Sequence, residues 1–249
     1  MHNTIAFCQA PAVVTEEEIA GVVDQNARVI GDDVYIGRYN RIVSAFGGGH
    51  SMQTMRLVSP SLRRVFAPYI HPIYSAAADA YWLVKPVYMV DNPIALETNE
   101  ALNAMAKVSE VHATTYNFMG VSLAEGALAP VTGEIRTMVI EADATLTIGV
   151  WTNHTLTLPV DLPVGRYQVV GAQCRSNAVG IFRLVPIGED FRCGGMIDAG
   201  DKFIDTTGQR FGALGVWCEF DQLTPPSLEI CPNVAGGWYS LKLDLIKVG

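Results

Sequence analysis

The strictest alternation of apolar and polar residues lies near the C-terminus. In residues 240–245 every second residue is a leucine, and the residues between the leucines are polar. Because neighbouring side chains of a β-strand point to opposite faces of its sheet, this pattern predicts a strand with one buried and one wet face. The alternation shifts by one residue at Ile246, which directly follows Leu245, and the next apolar residue is Val248. The slip predicts a β-bulge or a strand end covered by a neighbouring segment.

The same kind of pattern recurs throughout the second half of the chain. Segments rich in β-branched and aromatic residues alternate with Gly, Pro, Asn or Asp. Pro159, Pro163 and Gly165 predict a turn at a sheet edge or a connection. We predict strands after Gly133 at residues 134–142, 145–151, 155–160, 166–172, 179–187, 192–200, 211–220, 227–233 and 238–248. Short, evenly spaced strands of this kind are typical of a sandwich or a barrel.

The first half shows fewer strand signals. Residues 33–46 and 52–59 have the composition of strands, and the sequence GGGHS lies between them at residues 47–51. Two such segments around a glycine-rich loop predict a hairpin. The loop lacks the Lys and the following Ser or Thr of a phosphate-binding loop, so we expect it to be a flexible connection.

Helix signals are few, and all lie in the first half. Thr15 with Glu18 has the spacing of a capping box, which predicts a short helix from Thr15 to Gln25. A rough helical stripe predicts a second helix that begins near residue 98 or 99 and runs to Val108. Ser59 before Pro60 predicts one short helical turn.

The pattern changes from mixed signals to nearly pure strand between Pro130 and Gly133. We take this change as the boundary between two β modules. The expected domains are an N-terminal segment with a short helix at 1–28, a first β-barrel module at 29–131 and a second jelly-roll β-barrel module at 132–249. The expected fold class is all-β, a jelly-roll sandwich or barrel with two in tandem and a few short helices.

Composition and charge restrict the partners of the chain. Of its 249 residues, 49% are hydrophobic and only 17% are charged, which predicts apolar surface covered by other subunits. The formal net charge is −8 and no run of Lys or Arg occurs, so direct nucleic-acid binding is not expected. The N-terminus has no secretory pattern and no apolar run reaches the length of a membrane span. We therefore expect synthesis in a cytoplasm.

No motif for catalysis or metal binding stands out. The cysteines have no metal-binding spacing, so a zinc site is not expected. Their odd number, with no signal-peptide pattern, predicts reduced and mostly buried thiols, although one disulfide in an oxidising setting stays open. The five cysteines are Cys8, Cys174, Cys193, Cys218 and Cys231, and the five scattered histidines are His2, His50, His71, His112 and His154. No G-x-S-x-G motif occurs. Hence we expect no catalytic residue, no cofactor and no metal.

Two alternatives from the residues remain open. The pairs Glu189 with Asp190 and Glu219 with Asp221 are candidates for the two carboxylates of a glycoside hydrolase. A carbohydrate-binding module would need a planar row of exposed aromatic side chains, whereas core packing is the expectation favoured for these residues. The four tryptophans are Trp82, Trp151, Trp217 and Trp238.

The sequence patterns of the strands, of the turns and of the C-terminal segment resemble those of a known family. It is carried by GEIRTMVIEADATLTIGVWTNHTLTLPVDLPVGRYQVVGAQC, by IFRLVPIGEDFRCGG and by the ending GVWCEFDQLTPPSLEI...LKLDLIKVG, with MRLVSPSLRRVFAPYIHPI and NPIALETNEALNAMA upstream. These segments resemble jelly-roll major capsid proteins of non-tailed icosahedral viruses of microbes, including bacteriophages. The resemblance rests on style and not on a signature motif.

The resemblance implies a structural subunit of a virion and not an enzyme. In that family a subunit carries one barrel or two, and double-barrel subunits form homotrimers that self-assemble into pseudo-hexagonal capsomers of a shell. It implies minor capsid proteins or an internal membrane between this chain and the genome, since a basic arm is absent. We expect the turns at 47–51 and 159–165 to shape the capsomer surface. A carbohydrate-binding β-sandwich for host recognition and a jelly-roll glycan hydrolase remain the alternatives.

Overall fold

A computed structural model describes residues 1–23, 28–63, 69–70, 86–199 and 204–248. In the first half, the described residues form strands and one short helix, α1 (Pro60–Arg63). The strands are β1 (His2–Gln9), β2 (Glu17–Ile19), β3 (Arg28–Ile30), β4 (Asp33–Tyr35), β5 (Arg41–Gly48), β6 (Met52–Val58), β7 (Tyr69–Ile70), β8 (Val87–Tyr88), β9 (Ile94–Ala95), β10 (Ala101–Val108) and β11 (Asn117–Ala124). We call this group of strands the first roll.

The second half adds strands and one short 3₁₀ turn (Thr207–Gln209). The strands are β12 (Arg136–Leu146), β13 (Thr152–His154), β14 (Arg166–Ser176), β15 (Gly180–Val185), β16 (Cys193–Ala199), β17 (Cys218–Asp221), β18 (Ser227–Pro232) and β19 (Gly236–Lys247). We call this group the second roll.

The second roll has the strand order of a jelly roll. One set of antiparallel neighbours is β12-β19-β14-β17, and the other is β13-β18-β15-β16. A short parallel pairing of β14 with β16 joins the two sets into one curled sheet. If the strands are lettered B to I in chain order, the sets are B-I-D-G and C-H-E-F, which is the jelly-roll arrangement.

The first roll repeats this order. Its neighbours are β1-β11-β5-β8 in one sheet and β2-β10-β6-β7 in the other. The hairpin β3–β4 is an addition that pairs with β10, and β9 is an addition that pairs with β5. The expected all-β class, with two jelly rolls in tandem and few short helices, is therefore confirmed.

The two rolls pack face to face. Along β1, Ile5 and Phe7 lie in a large apolar core, whereas Ala6 and Cys8 face the second roll. There they meet apolar residues of β15, β16 and β18, such as Ile181. Because both faces of β1 are buried, the sheet that contains it serves the core of the first roll and the contact between rolls.

Hydrogen bonds beside β1 strengthen the contact between the rolls. The Thr4 N–H donates to the Arg192 carbonyl oxygen at 2.7 Å, and the Arg192 N–H donates to Asn3 Oδ1 at 2.8 Å. The backbone of β1 is thus also bonded on the side away from β11. This protects an edge that would otherwise be open to another strand.

Two of the predicted helices are wrong. Residues 17–19 form strand β2, and Gln25 lies outside the described residues. The expected capping box is replaced by other bonds, since Glu18 accepts a hydrogen bond from Asn103 Nδ2 at 3.2 Å. The segment that ends at Val108 is strand β10, in which every second residue from Leu102 is buried, so tertiary pairing overrides the helical propensity of its alanines. The turn after Ser59 is confirmed as α1, with Ser59 Oγ accepting from Leu62 N–H at 3.2 Å.

The predicted hairpin in the first half is also wrong. β5 pairs with β11, whereas β6 pairs with β10, so residues 47–51 cross from one sheet to the other. Most of this loop is buried. A Cβ atom on Gly47 would lie 2.6 Å from both Met55 Sδ and the Phe118 carbonyl oxygen. The loop is therefore an internal connection, and the expectation that it shapes an outer surface is wrong.

Most predicted strands of the second half are present, with changes at their ends. Residues 155–160 and 211–217 are not strands, and residues 147–151 form a turn and coil after β12. The slip at Ile246 corresponds to a bulge on the neighbouring strand, where Val170 is the unpaired residue of β14. Ile246 is also covered by Gly133, since a Cβ atom added to this glycine would lie only 2.8 Å from Ile246 Cγ2. The turn at Pro159 and Pro163 is confirmed, with Leu162 N–H donating to the Pro159 carbonyl oxygen at 3.1 Å.

Candidate association surface

One end of the second roll is built from three loops. β14 begins opposite the last residue of β17, and β15 joins β16 at the same end. The Gln222 N–H donates to the Gly165 carbonyl oxygen at 3.0 Å, which ties two of the loops together. We call these three loops, residues 159–165, 186–192 and 221–226, the loop end.

Large apolar side chains project into solvent at the loop end. Val160 is 103% exposed, Leu223 76%, Val164 74% and Ile187 70%. We call these four residues the loop-end patch. A single exposed apolar residue is ordinary, but a group of them on adjacent loops is typical of a surface that another molecule covers.

Two ion pairs lie at the loop end, beside the loops that carry the loop-end patch. Arg166 pairs with Glu219 at 2.8 Å, and Arg38 of the first roll pairs with Asp190 at 2.9 Å. These side chains are exposed, so each pair adds little to the stability of the fold. An apolar centre with a charged rim is, however, the common composition of a protein–protein interface.

A groove of about 710 Å³ opens beside the loop-end patch. It lies between the start of β12 and the turn at Pro159, and Tyr167 and Ile246 are in its lining. The Tyr167 hydroxyl donates to the Pro163 carbonyl oxygen, which holds the turn against the sheet. The groove is thus a fixed depression next to exposed apolar residues.

The start of β12, which lines the groove, also belongs to an open edge of the sheet. Among the described residues β12 pairs with β19 alone, so its other edge has no strand neighbour there. Thr137, Val139, Glu141 and Asp143 are exposed on its outer face. An unpaired edge of this length can accept another strand, and natural proteins usually cover or pair such edges. The edge and the loop end therefore form one continuous candidate association surface.

The structure brings three of the four candidate carboxylates to one shallow depression. Glu189, Glu219 and Asp221 line it at the loop end. Glu219 accepts hydrogen bonds from Arg166 Nη2 and Gln168 Nε2, each at 2.8 Å. Asp190, outside this lining, is bound by Arg38. A general acid of a glycoside hydrolase needs a carboxyl group in an apolar setting, whereas Glu219 is exposed and ion-paired.

The described tryptophans do not share one surface. Trp217 is fully buried and stacks on Phe182 at 6.1 Å between ring centroids. Trp151 is covered by Arg183, whose guanidinium carbon lies 3.9 Å from the indole centroid. Trp238 is partly exposed on β19, and Trp82 lies outside the described residues. Core packing is thus confirmed for Trp217.

The five cysteines and His2 are buried, whereas His50, His112 and His154 are half-buried and His71 is outside the described residues. Burial raises the pKa of Cys174, raises that of Cys193 to about 12, and lowers that of His2 to about 3. The rings of His50 and His112 stack at 4.1 Å. In the described part of the chain no group of three His, Cys, Asp or Glu residues is placed to hold a metal ion. No helix within the described ranges is long and apolar enough to cross a membrane.

The sequence located part of this surface. The turn at 159–165 was expected to shape an outer surface, and its two valines are indeed exposed. Ile187 and Leu223 were missed, although each stands in a short turn among Pro, Gly or charged residues. An apolar side chain inside a turn sequence was the signal available for both.

Comparison with known proteins adds little. No protein-family model matches the chain, and no curated protein matches it. Among solved structures, the crystal structure of the major capsid protein P2 from bacteriophage PM2 aligns with 9% identity over 100% of this chain and 98% of that chain. The TM-score of that alignment is 0.24, which is too low to establish a shared fold.

Proposed function

We propose that this chain is a structural subunit of a viral capsid that self-assembles through homotrimers into an icosahedral shell. The proposal keeps the division of the chain at 131/132, because the strands of one roll end at Ala124 and those of the other begin at Arg136. It assigns no catalytic residue and no cofactor. The protein acts through the surfaces that it presents to other copies.

The observation that carries the proposal is the loop-end patch beside the free edge of β12. Four exposed apolar side chains would lose contact with water if another copy covered them. Burial of about 25 cal/mol per Å² of apolar surface makes such a contact favourable. The charged rim around Arg166 and Arg38 would then select the orientation of the neighbour.

The tandem fold supports the trimer. Each chain holds two jelly rolls with the same strand order, so three chains present six similar rolls around one axis. Six similar units fit the pseudo-hexagonal capsomer that the family resemblance implies. Fold alone does not define function, so the patch and not the fold is the main support.

The remaining parts of the proposal concern location and partners. We assign the mature protein to the virion after synthesis in the host cytoplasm, with minor capsid proteins or an internal membrane as neighbours. The net charge of −8 favours an additional layer between this chain and the genome. Direct contact with nucleic acid has no part in the proposal.

The test measures assembly of the full chain and of two variants. Light scattering after size exclusion gives the mass in solution, and negative-stain electron microscopy shows any shells. We expect trimers or shells for the wild type. Val164→Glu with Leu223→Glu should give a folded monomer, because two charges would be desolvated in the contact.

A matched control is Val111→Glu, at an exposed position in the loop before β11. That loop lies at the opposite end of the second roll, where the Tyr116 N–H donates to the Asn233 carbonyl oxygen at 2.9 Å. The control should assemble like the wild type. A wild-type monomer at all concentrations, or unchanged assembly of the double variant, would refute the proposal. Glycan binding or hydrolysis by such a monomer would favour the alternatives.

A further inference from the structure

Cys8 and Cys231 bring two thiols together across the contact between the rolls. Cys8 lies on β1 of the first roll, and Cys231 lies on β18 of the second roll. Both side chains are buried in the same apolar cluster, which joins β1 of the first roll to β15, β16 and β18 of the second roll. No sequence motif connects these residues, which are far apart in the chain.

The backbone of Gly149, in the turn after β12, packs against the strands that carry both cysteines. Gly149 lies beside Cys8, because a Cβ atom added to this glycine would lie 3.7 Å from Cys8 Sγ. The Gly149 N–H donates to the carbonyl oxygen of Pro232 at 3.0 Å, next to Cys231 in the chain. Gly149 therefore lies between the strand ends that carry the two thiols, inside the packed contact between the rolls.

We propose that Cys8 and Cys231 form a disulfide that fastens the two rolls together when the protein meets an oxidant of the small-molecule disulfide class. In the first step the thiolate of one cysteine attacks oxidised glutathione, giving a mixed disulfide and one glutathione thiolate. In the second step the other cysteine thiolate displaces the second glutathione. Two protein thiols are oxidised, and one oxidised glutathione is reduced to two thiols, which take up the two protons.

The folded environment makes this exchange slow. The hydrogen bond between the thiols and their burial raise the pKa of Cys8 well above its ordinary value. Since the thiolate is the attacking species, reaction requires that β1 opens locally and admits the oxidant. Mild denaturant should therefore accelerate the reaction without changing which cysteines become linked.

The other cysteines are placed differently. Cys193 donates its thiol proton to the carbonyl oxygens of His2 and Trp217, at 2.9 and 2.7 Å. The pKa of Cys218 is raised by burial and also by the nearby Cys193, so these two form the competing pair. Both belong to the second roll, whereas the Cys8–Cys231 link joins the rolls. The location of a link therefore distinguishes the two pairs.

The experiment maps disulfides in the full-length protein after incubation with oxidised glutathione in low urea. Non-reducing digestion and mass spectrometry should show a peptide that joins Cys8 to Cys231. The oxidised protein should gain about 10 °C in Tm, because the link closes most of the chain into one loop. Dithiothreitol should reverse both changes.

Variants provide the controls. Cys8→Ser and Cys231→Ser should each lack the linked peptide and the gain in Tm, whereas Cys174→Ser should keep both. Linkage of Cys193 to Cys218 alone, glutathione adducts without a protein disulfide, or a Cys8–Cys231 link that leaves Tm unchanged would overturn the proposal. The wild-type peptide map decides the pairing even if a serine variant does not fold. The result is independent of whether the chain assembles into a shell.

Discussion

Acidification should destabilise this protein through His2. The His2 side chain is fully buried at the start of β1, where its ring meets Trp217 edge to face with centroids 5.0 Å apart. Its Nε2 lies 3.3 Å from the Gly194 carbonyl oxygen, so we assign the proton to that nitrogen as the donor. Nδ1 is buried without a hydrogen-bond partner, and protonation there would place a charge in an apolar core.

The sign and the magnitude follow from proton linkage. Burial lowers the pKa of His2 from 6.5 to about 3 in the folded protein. Between these two values the unfolded chain binds a proton that the folded chain does not, so the free energy of unfolding falls as the pH falls. At about 1.4 kcal/mol per pH unit, the loss from this group is about 2 kcal/mol at pH 5 and about 5 kcal/mol at pH 3.

Other groups act in the same direction and must be separated. Burial also lowers the pKa of His50 and His154. Asp244 is buried, which by itself raises the pKa of its carboxyl, but hydrogen bonds from Arg210 and Thr137 hold that pKa below 3.8. The contribution of Asp244 is therefore lost only in stronger acid. Burial raises the pKa of Asp198, so that group acts in the opposite direction and adds stability as the pH falls. Among the described histidines, His2 is the most buried.

Urea unfolding, followed by tryptophan fluorescence at pH 7, 6 and 5, measures the effect. His2→Phe keeps a ring against Trp217 and removes the titration, so its loss of stability from pH 7 to pH 5 should be about 2 kcal/mol smaller than that of the wild type. His154→Gln is the control, and we expect it to change the slope less. Equal pH slopes for His2→Phe and wild type would show that His2 does not titrate as a buried group.

Two further predictions concern the interior of the second roll. Asp244→Asn removes the charge that faces Arg210 at 2.6 Å, and the Arg210 charge then stays buried without its partner. We expect the free energy of unfolding in urea to fall by about 3–5 kcal/mol. The double variant Arg210→Met with Asp244→Leu should recover much of this stability, and a double variant as unstable as Asp244→Asn would contradict the prediction. Gly194→Ala would place a Cβ against the Phe182 carbonyl oxygen and 2.7 Å from Arg183 Cβ, so we expect a loss of about 1–3 kcal/mol. Gly237→Ala, with open space around it, should stay within about 0.5 kcal/mol of wild type, and similar losses for both glycine variants would refute the steric argument.

The sequence predicted the class of fold because alternation is a local property. β19 shows this best, since its leucines are buried and the pattern repeats every second residue. β10 shows the limit. Its alanines are good helix formers, yet Ala104 and Ala106 fill the tight interior of a sheet opposite Leu57 and Met55 of β6. The preference for strand there comes from partners distant in the chain, which no local window contains.

The pairing order and the site were harder to predict for the same reason. The loop at 47–51 has the composition of a hairpin, but its flanking strands find partners in β10 and β11, much later in the chain. Likewise, the patch at Val164, Ile187 and Leu223 depends on three loops meeting at one end of a roll. The valines of the 159–165 turn were accessible to prediction because a turn exposes its side chains wherever it lies.

The contact between the rolls resembles a core more than a hinge. β1 buries Phe7 in one apolar cluster and Cys8 in another, and its backbone bonds to Arg192 of the second roll. Arg183 adds a polar element, since it pairs with Glu229 at 2.6 Å and lies 3.4 Å from the Thr4 carbonyl oxygen. A buried charge of this kind tolerates little displacement, because moving the rolls apart would leave it without its partners. The two rolls should therefore move as one rigid unit, and the proposed assembly would then use the loop end and the edge of β12 without any change in how the rolls pack.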